Sequence, residues 1–371
     1  MKFTIQQDDL QKALAIVANV VANKPVMPVL NCVLLEVDKG RLTVSSTNLD
    51  MSVTTSTDKV AVKDGGRLAV PAAKFVSFVR SLPAGEVVVS EKGGRVSVVC
   101  GKSSLSEQCM DVAMFPALPG LPEGEGHEVE AGVLARMIRA TSYAVSRDET
   151  RPALLGILWE LKPTSLAMIA TDAHRLARIE RKMDWTVTDV RSVIADTPGL
   201  LQFVRLAEGV ENARIKFGDN QISFRLGETV LHIRLLEGPF PDYTAVIPQA
   251  NNLQMIVDRE ALNTAARRVS ITADRVTSQI RLGIEAGRLE LSASGTDGSR
   301  TEDEMPVEFD GEAMEIGFNY TYLLDVLKNV GADTLRFSLR DSQSAALVRP
   351  EGEAPDGDLL CLLMPLRLTS E

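Results

Sequence analysis

The sequence predicts an α+β protein made of three tandem copies of one domain, each carrying two helices packed on mainly antiparallel sheet. Three observations predict the copies. The segment Gly40-Arg41-Leu42-Thr43-Val44-Ser45-Ser46-Thr47 has counterparts at Ser165 to Asp172 and Gly287 to Asp297, so that threonines fall at 47, 171 and 296, intervals of 124 and 125. Phe78-Val79-Arg80 returns as Phe203-Val204-Arg205, 125 residues on, with a weaker Val326-Leu327-Lys328 another 123 later. Phe115-Pro116-Ala117-Leu118-Pro119 returns as Phe240-Pro241-Asp242-Tyr243, again at 125. Each interval is close to a third of the 371 residues. The Pro- and Gly-rich stretches at 118–126 and 247–252 set domain boundaries at 1–121, 122–249 and 250–371.

Each copy follows one order of elements. A short strand opens it. An amphipathic helix follows, with one buried stripe at Leu10, Ala13, Leu14, Val17 and Val21, then Leu134, Met137, Ile138 and Val145, then Leu262, Ala265 and Val269. Alternating and β-branched runs mark strands at 29–37, 42–46 and 51–55. The FVR marker rides a second helix, at 71–82, 197–206 and 319–330, with Pro71 and Pro198 near helix starts where a missing N–H is tolerated. Strands at 86–90 and 95–99, joined by Lys92-Gly93-Gly94, close the copy as a hairpin.

Composition excludes several classes. Apolar runs such as 13–21 and 359–364 fall far short of the ~20 residues that span a bilayer. The start, Met1-Lys2-Phe3-Thr4-Ile5, gives no secretory signal, which predicts a cytoplasmic protein without membrane partners. Cys32, Cys100, Cys109 and Cys361 form no C-x-x-C pair and have no histidines at metal spacing; they are expected to be buried reduced thiols, with no metal and no cofactor. No G-x-S-x-G, P-loop, H-E-x-x-H or G-x-G-x-x-G pattern occurs, and the repeats share no acid/base pair, so a non-catalytic protein is expected.

Charge is unevenly spread. The formal net charge of −10 argues at first against nucleic acid. Divided by copy it reads differently: 13 basic and 11 acidic groups (+2), then 15 and 18 (−3), then 12 and 21 (−9). A contact between the first copy of one chain and the third of another is therefore electrostatically favoured, with Lys74, Arg95, Lys102 and Leu105 on one side and Ile271, Glu302, Asp303 and Glu304 on the other. Basic residues gather on or beside the six expected helices, at Lys12, Lys24, Lys74, Arg80, Arg136, Arg139, Arg147, Arg205, Arg267, Arg268, Arg275 and Lys328. Helix solubility alone explains such residues; a shared centre makes them a basic lining.

The opening Met1-Lys2-Phe3-Thr4-Ile5, the Lys24-Pro25-x-x-Pro28-Val29-Leu30 run and the block Thr171-Asp172-Ala173-His174-Arg175-Leu176 resemble the bacterial DNA polymerase III β subunits, the replicative sliding clamps. So do Phe240-Pro241-Asp242-Tyr243, Glu315-Ile316-Gly317-Phe318-Asn319 and Met364-Pro365-Leu366-Arg367-Leu368, in order and over essentially the whole chain. The resemblance implies three DNA-clamp domains per chain and a head-to-tail dimer forming a six-domain ring around duplex DNA. It implies a processivity factor whose partners are double-stranded DNA read without sequence preference, a second copy, a clamp loader, and the polymerase III alpha subunit with other polymerases and repair proteins. It places Lys24, Arg147 and Arg151 near DNA. It also implies a groove for short linear peptide motifs, at Leu154, Thr171, His174, Arg175, Leu176, Pro241, Val246, Asn319, Tyr322, Ser344, Leu363, Met364, Pro365, Leu366 and Arg367.

Three departures from the family pattern stand out: Ala173 where glycine is usual, Thr244-Ala245 where basic residues are familiar, and Thr369-Ser370-Glu371 past the usual last leucine. The competing reading is a clamp-like scaffold or paralogue that binds peptides without a replicative role.

Overall fold

The computed structural model describes residues 1–21, 26–124, 126–183, 185, 190–352 and 357–368. Lys24 and the 369–371 extension lie outside them. Among the described residues there are six α-helices, two per copy: α1 (Gln7–Ala18), α2 (Ala72–Ser81), α3 (Ala131–Ser142), α4 (Thr197–Leu206), α5 (Arg259–Val269) and α6 (Tyr320–Asn329). All strand pairs described are antiparallel.

The chain divides into two compact units, Met1–Ala135 with Pro198–Leu235, and Arg136–Thr197 with Leu236–Glu371. Unit 1 holds a five-stranded sheet in the order Val60–Asp64, Lys2–Gln6, Glu86–Lys92, Arg95–Cys100, Ser103–Gln108. Its second sheet joins two copies: Thr229–Leu236 of the middle copy pairs with Met51–Thr57 of the first. Unit 2 repeats the plan. Its four-stranded sheet runs Arg300–Pro306, Arg288–Ser294, Gln279–Glu285, Met314–Asn319, and Asp358–Leu363 of the third copy pairs with Arg175–Lys182 of the middle one. Neighbouring copies are thus stitched edge to edge, which satisfies strand edges that would otherwise stand open.

The helices form for local reasons. Asp8 and Asp9 in the first turn of α1 complement its dipole. Asp258 and Asn319 cap α5 and α6, accepting from the backbone N–H of Ala261 at 2.7 Å and of Thr321 at 2.9 Å. Gln7 ties α1 to α2 by donating Nε2–H to the Val79 carbonyl, 2.8 Å away in the interior. The apolar stripes are buried at Leu10, Ala13, Leu14 and Val17, and at Leu134, Met137, Ile138, Leu262, Ala265 and Val269.

Several expectations need correction. Val21 and Val145 lie past the ends of α1 and α3 and are only half-buried; a tight turn after each helix sends Val20 and Ala144 inward instead. The apolar run at 29–37 begins with a 3-10 turn, Pro28–Asn31, before the strand Cys32–Asp38, because Pro28 sets a helical φ at its start. All four cysteines are free, but Cys109 is half-buried whereas Cys32, Cys100 and Cys361 are buried. The Lys92–Arg95 hairpin is as expected. Gly93 and Gly94 have φ of +61° and +75°, the conformation that a two-residue turn demands and that glycine adopts without strain.

Candidate functional site

The threonine of the repeat marker builds a turn. In the middle copy Thr171 Oγ1 donates to the Arg175 carbonyl at 2.7 Å, and the Ala173 N–H donates back to Thr171 Oγ1 at 3.2 Å. The Asp172 carboxylate accepts from the N–H groups of His174 and Arg175 at 2.9 and 3.0 Å. Closing the turn puts Ala173 at φ +76°, the left-handed region where glycine is at home. Ala173, where the family usually has glycine, therefore holds this turn under strain.

Arg175 leaves this turn into a polar centre. Its side chain is 8% exposed. Nε donates to Asp172 at 3.0 Å and Nη1 to Asp325 at 2.6 Å. The guanidinium lies 4.5 Å from the Tyr322 ring centre and 5.5 Å from that of Tyr143. His174 stacks on Tyr322 with 6.3 Å between ring centroids. Tyr143 donates its hydroxyl to Cys361 Sγ at 3.1 Å. Burial, reinforced by the Asp172 charge, raises the Tyr322 phenol above its ordinary range; burial pushes the Cys361 thiol up to about 11.

The opposite face of the same sheet is apolar. Leu176 and Leu362 are register partners, and they sit in a cluster with Leu158, Ala167, Ile169, Ile194, Ala345, Leu347 and Leu360. The chain at 236–247 borders it with Leu236, Phe240, Tyr243 and Ile247, all partly exposed, and Ala153 adds to the rim. Tyr243 is fixed by donating its hydroxyl to Glu160 at 3.0 Å. Met364, 42% exposed, hangs its N–H on the His174 carbonyl at 2.9 Å. This is an aliphatic surface framed by a turn and a Pro-containing linker.

The sequence-predicted groove residues divide between these two faces. Leu176 is in the apolar cluster; Leu154 is buried next to Ala153 on its rim, and Ser344 precedes Ala345. Pro241 and Val246 are exposed on the bordering linker. Leu363 pairs with Arg175 and so lies on the polar-centre face, where alternation along a strand must put it once Leu362 faces the cluster. Arg175, Asn319 and Tyr322 belong to that second face, Asn319 as the α6 cap. Pro365, Leu366 and Arg367 run away from it. Leu366 bonds its N–H to the Gly317 carbonyl at 2.8 Å, and the Arg367 carbonyl accepts from Gln279 at 3.1 Å. Sequence reasoning missed Leu362, Leu360, Leu347, Leu158, Phe240 and Tyr243. The period-2 spacing of Leu360 and Leu362 was the signal for two of them.

The predicted basic residues keep the expected exposed positions on the helices: Lys12 on α1, Lys74 and Arg80 on α2, Arg136 and Arg139 on α3, Arg205 on α4 and Arg268 on α5. Arg147 is exposed after α3, and Arg151 donates to Asp148 at 2.9 Å. Five of the six helices carry a basic residue in the last turn, where the dipole already favours one. Lys74 and Arg268 are also engaged within the chain: Lys74 lies 3.2 Å from Glu107, and Arg268 donates Nε to Asp303 at 2.6 Å.

The predicted contact residues lie at two sheet edges. Ser103–Gln108 is an edge strand of unit 1, with half-buried Leu105 on it, exposed Lys102 before it and Arg95 beside it. Arg300–Pro306 is an edge strand of unit 2. The acidic residues there are partly neutralised: Glu302 pairs with Arg300, Asp303 with Arg268, Glu304 with Arg288. Ile271 is 82% exposed next to this edge, where Thr272 bonds Thr301 at 3.0 Å. Among the described residues no helix is long and apolar enough to cross a membrane.

Comparison with known proteins completes the picture. Three family descriptions match in order: DNA polymerase III beta subunit N-terminal domain over residues 1–119, central domain over 128–242 and C-terminal domain over 244–367. The beta sliding clamp of Haemophilus influenzae is 32% identical over 99% of this chain and 100% of its own. The solved DNA polymerase sliding clamp of Pseudomonas aeruginosa superposes with a TM-score of 0.93 at 32% identity, over 99% of this chain and 100% of that one. The sliding clamp of Bartonella birtlesii bound to griselimycin gives 0.94 at 32%, over the same shares. With three copies of one domain, their order and their whole length accounted for, the chain belongs to the DNA polymerase III beta subunit family, the sliding clamps.

Proposed function

We propose that two copies of this clamp close head to tail into a ring around duplex DNA and hold polymerase to it, without catalysing a reaction. The observation that carries this is the pair of open sheet edges at the two ends of the chain. Ser103–Gln108 and Arg300–Pro306 each leave one side of their backbone unpaired, and the copies that bear them are +2 and −9. Joining one edge to the other of a second chain continues both sheets and covers Leu105 and Ile271, as the internal joints at 51–57 and 175–182 already do within the chain. A closed ring stays on DNA by topology, so Lys12, Lys24, Arg80, Arg136, Arg139, Arg147, Arg151 and Arg205 need supply only weak phosphate contacts that permit sliding. An acidic exterior is no obstacle to that.

The apolar face at Leu176 and Leu362 suits capture of a short linear motif, with Met364 and Tyr243 as adaptable rims. The clamp loader, the polymerase alpha subunit and repair proteins are the partners expected there; the griselimycin complex of the Bartonella relative supports ligand binding in the family.

Sedimentation tests the closure. The protein should be a dimer that weakens with salt and dissociates when Ile271 is replaced by Asp; a monomer at all salt concentrations refutes it. Calorimetry with a polymerase tail peptide tests the groove. Leu362→Ala should weaken binding at least tenfold, and unchanged affinity removes the site.

A further inference from the structure

We propose that the cleft at the first threonine turn is a second peptide-binding site, one that takes an extended segment through a small neutral polar side chain, a carboxamide. The inference rests on reading the unit 2 groove as a peptide site, because the two are built alike. Thr47 Oγ1 donates to the Met51 carbonyl at 2.9 Å and accepts from the Leu49 N–H at 3.1 Å. Asn48 accepts from the N–H groups of Asp50 and Met51 at 3.1 and 2.8 Å, and Leu49 takes φ +80°. Each bond repeats one made at Thr171. The linker marker also recurs, with Pro116 here as Pro241 there.

The register fixes which side chains correspond. Ser52 pairs with His232 as Leu176 pairs with Leu362, and Met51 with Ile233 as Arg175 with Leu363. The two leucines at the centre of the apolar groove are thus a serine and a histidine in unit 1. Behind them Ser45 occupies the place of Ile169, and Thr43 that of Ala167.

The cleft is a cavity of about 260 Å³, with Met51, Ser52, Pro116, His232 and Ile233 in its wall. Ser52 is 2% exposed and its Oγ has no hydrogen-bond partner. A buried hydroxyl left unpaired is unfavourable to the folded chain, and a ligand hydrogen bond repairs it. His232 engages Ser223 through Nδ1 at 2.8 Å. Burial lowers its pKa to about 4, so the ring is neutral, with one donor and one acceptor nitrogen. Hydroxyl and neutral imidazole together complement a carboxamide, which both donates and accepts. Asp50 and Arg234, both exposed, line the cavity with opposite charges, so a charged anchor gains no net attraction. Apolar Pro116, Ala117 and Pro119 of the linker then flank the backbone.

The test uses the full chain with its methionine methyls labelled with carbon-13. Met51 reports the unit 1 cleft and Met364 the unit 2 groove. Acetyl-Ala-Gln-Ala-amide should move the Met51 signal to saturation at millimolar concentration and leave Met364 in place; acetyl-Ala-Leu-Phe-amide should do the reverse. Ser52→Ala removes only an unpartnered oxygen and should weaken the glutamine peptide roughly fivefold, the worth of one neutral hydrogen bond, while the Leu-Phe titration is unchanged. The proposal is overturned by a Met51 signal that stays still, or by one whose movement is the same in Ser52→Ala. If Met364 responds and Met51 does not, only this proposal fails; if Met364 is silent to the Leu-Phe peptide, the unit 2 reading fails.

Discussion

The turns at Thr47 and Thr171 are one backbone carrying two chemistries. Both close on a threonine hydroxyl and an Asn or Asp cap, and both force a non-glycine residue to positive φ. Beside the second, Leu176 and Leu362 continue an aliphatic cluster. Beside the first, Ser52 and His232 continue a field of hydroxyls in which Thr43 lies 3.1 Å from Ser56 and Ser45 3.0 Å from Thr54. The difference teaches that the repeat fixes the frame of a site while the alternate residues of two strands decide its ligand. The contrast is local: beside the first turn hydroxyl pairs line the sheet face that aliphatic side chains line beside the second.

The largest break in that comparison is to put the unit 1 residue into unit 2. Leu176→Ser removes a buried side chain and adds a hydroxyl, and should cost about 4 kcal/mol with loss of peptide binding, read by denaturant unfolding and calorimetry. Arg175→Met transplants the residue of the first turn. It leaves half-buried Asp172 without its ion-pair partner, and about 3 kcal/mol should be lost.

Acid should affect unit 1 through His232. Its folded pKa of about 4 lies below the ordinary 6.5 because burial disfavours the charged ring. As pH falls from 6.5 to about 4 the unfolded chain takes up a proton that the folded one refuses. Stability is therefore fully present above 6.5 and lost across that window, by about 3 kcal/mol. Thermal melts of the wild type and His232→Gln at both ends of the window should differ by that slope; parallel lines would contradict it.

The smallest effect sharpens the shared frame. Ala173 and Leu49 hold φ of +76° and +80°, and the matching residue of the third copy is Gly298 at +84°. Ala173→Gly should stabilise by about 1 kcal/mol, and Gly298→Ala should destabilise by a similar amount.

Much of this was legible in the sequence. The three copies, their six helices and the exposure of the helix cations followed from one interval and from 3.6-residue spacing. Two of the threonines that marked the repeat, Thr47 and Thr171, proved to be hydroxyls that close turns. Less legible was which face of a strand meets which neighbour. Leu362 faces the cluster and Leu363 the other side, an assignment the sequence conceals because a run of six apolar residues at 359–364 hides its own alternation. Nor did the sequence show that Glu302, Asp303 and Glu304 have partners within the chain. Arg268 reaches Asp303 from α5 and Arg288 reaches Glu304 from the neighbouring strand, contacts that only the fold brings together, while Arg300 meets Glu302 two residues along its own strand. The unit 1 cleft was invisible for the same reason: Ser52 and His232 are 180 residues apart.

The central claim is that residence on DNA is topological. Clamps loaded on a nicked circular duplex and then treated with an enzyme that linearises it give the direct measurement. The account predicts that protein co-elutes with the circle through gel filtration and is released on linearisation. Equal retention on circular and free-ended DNA would contradict it.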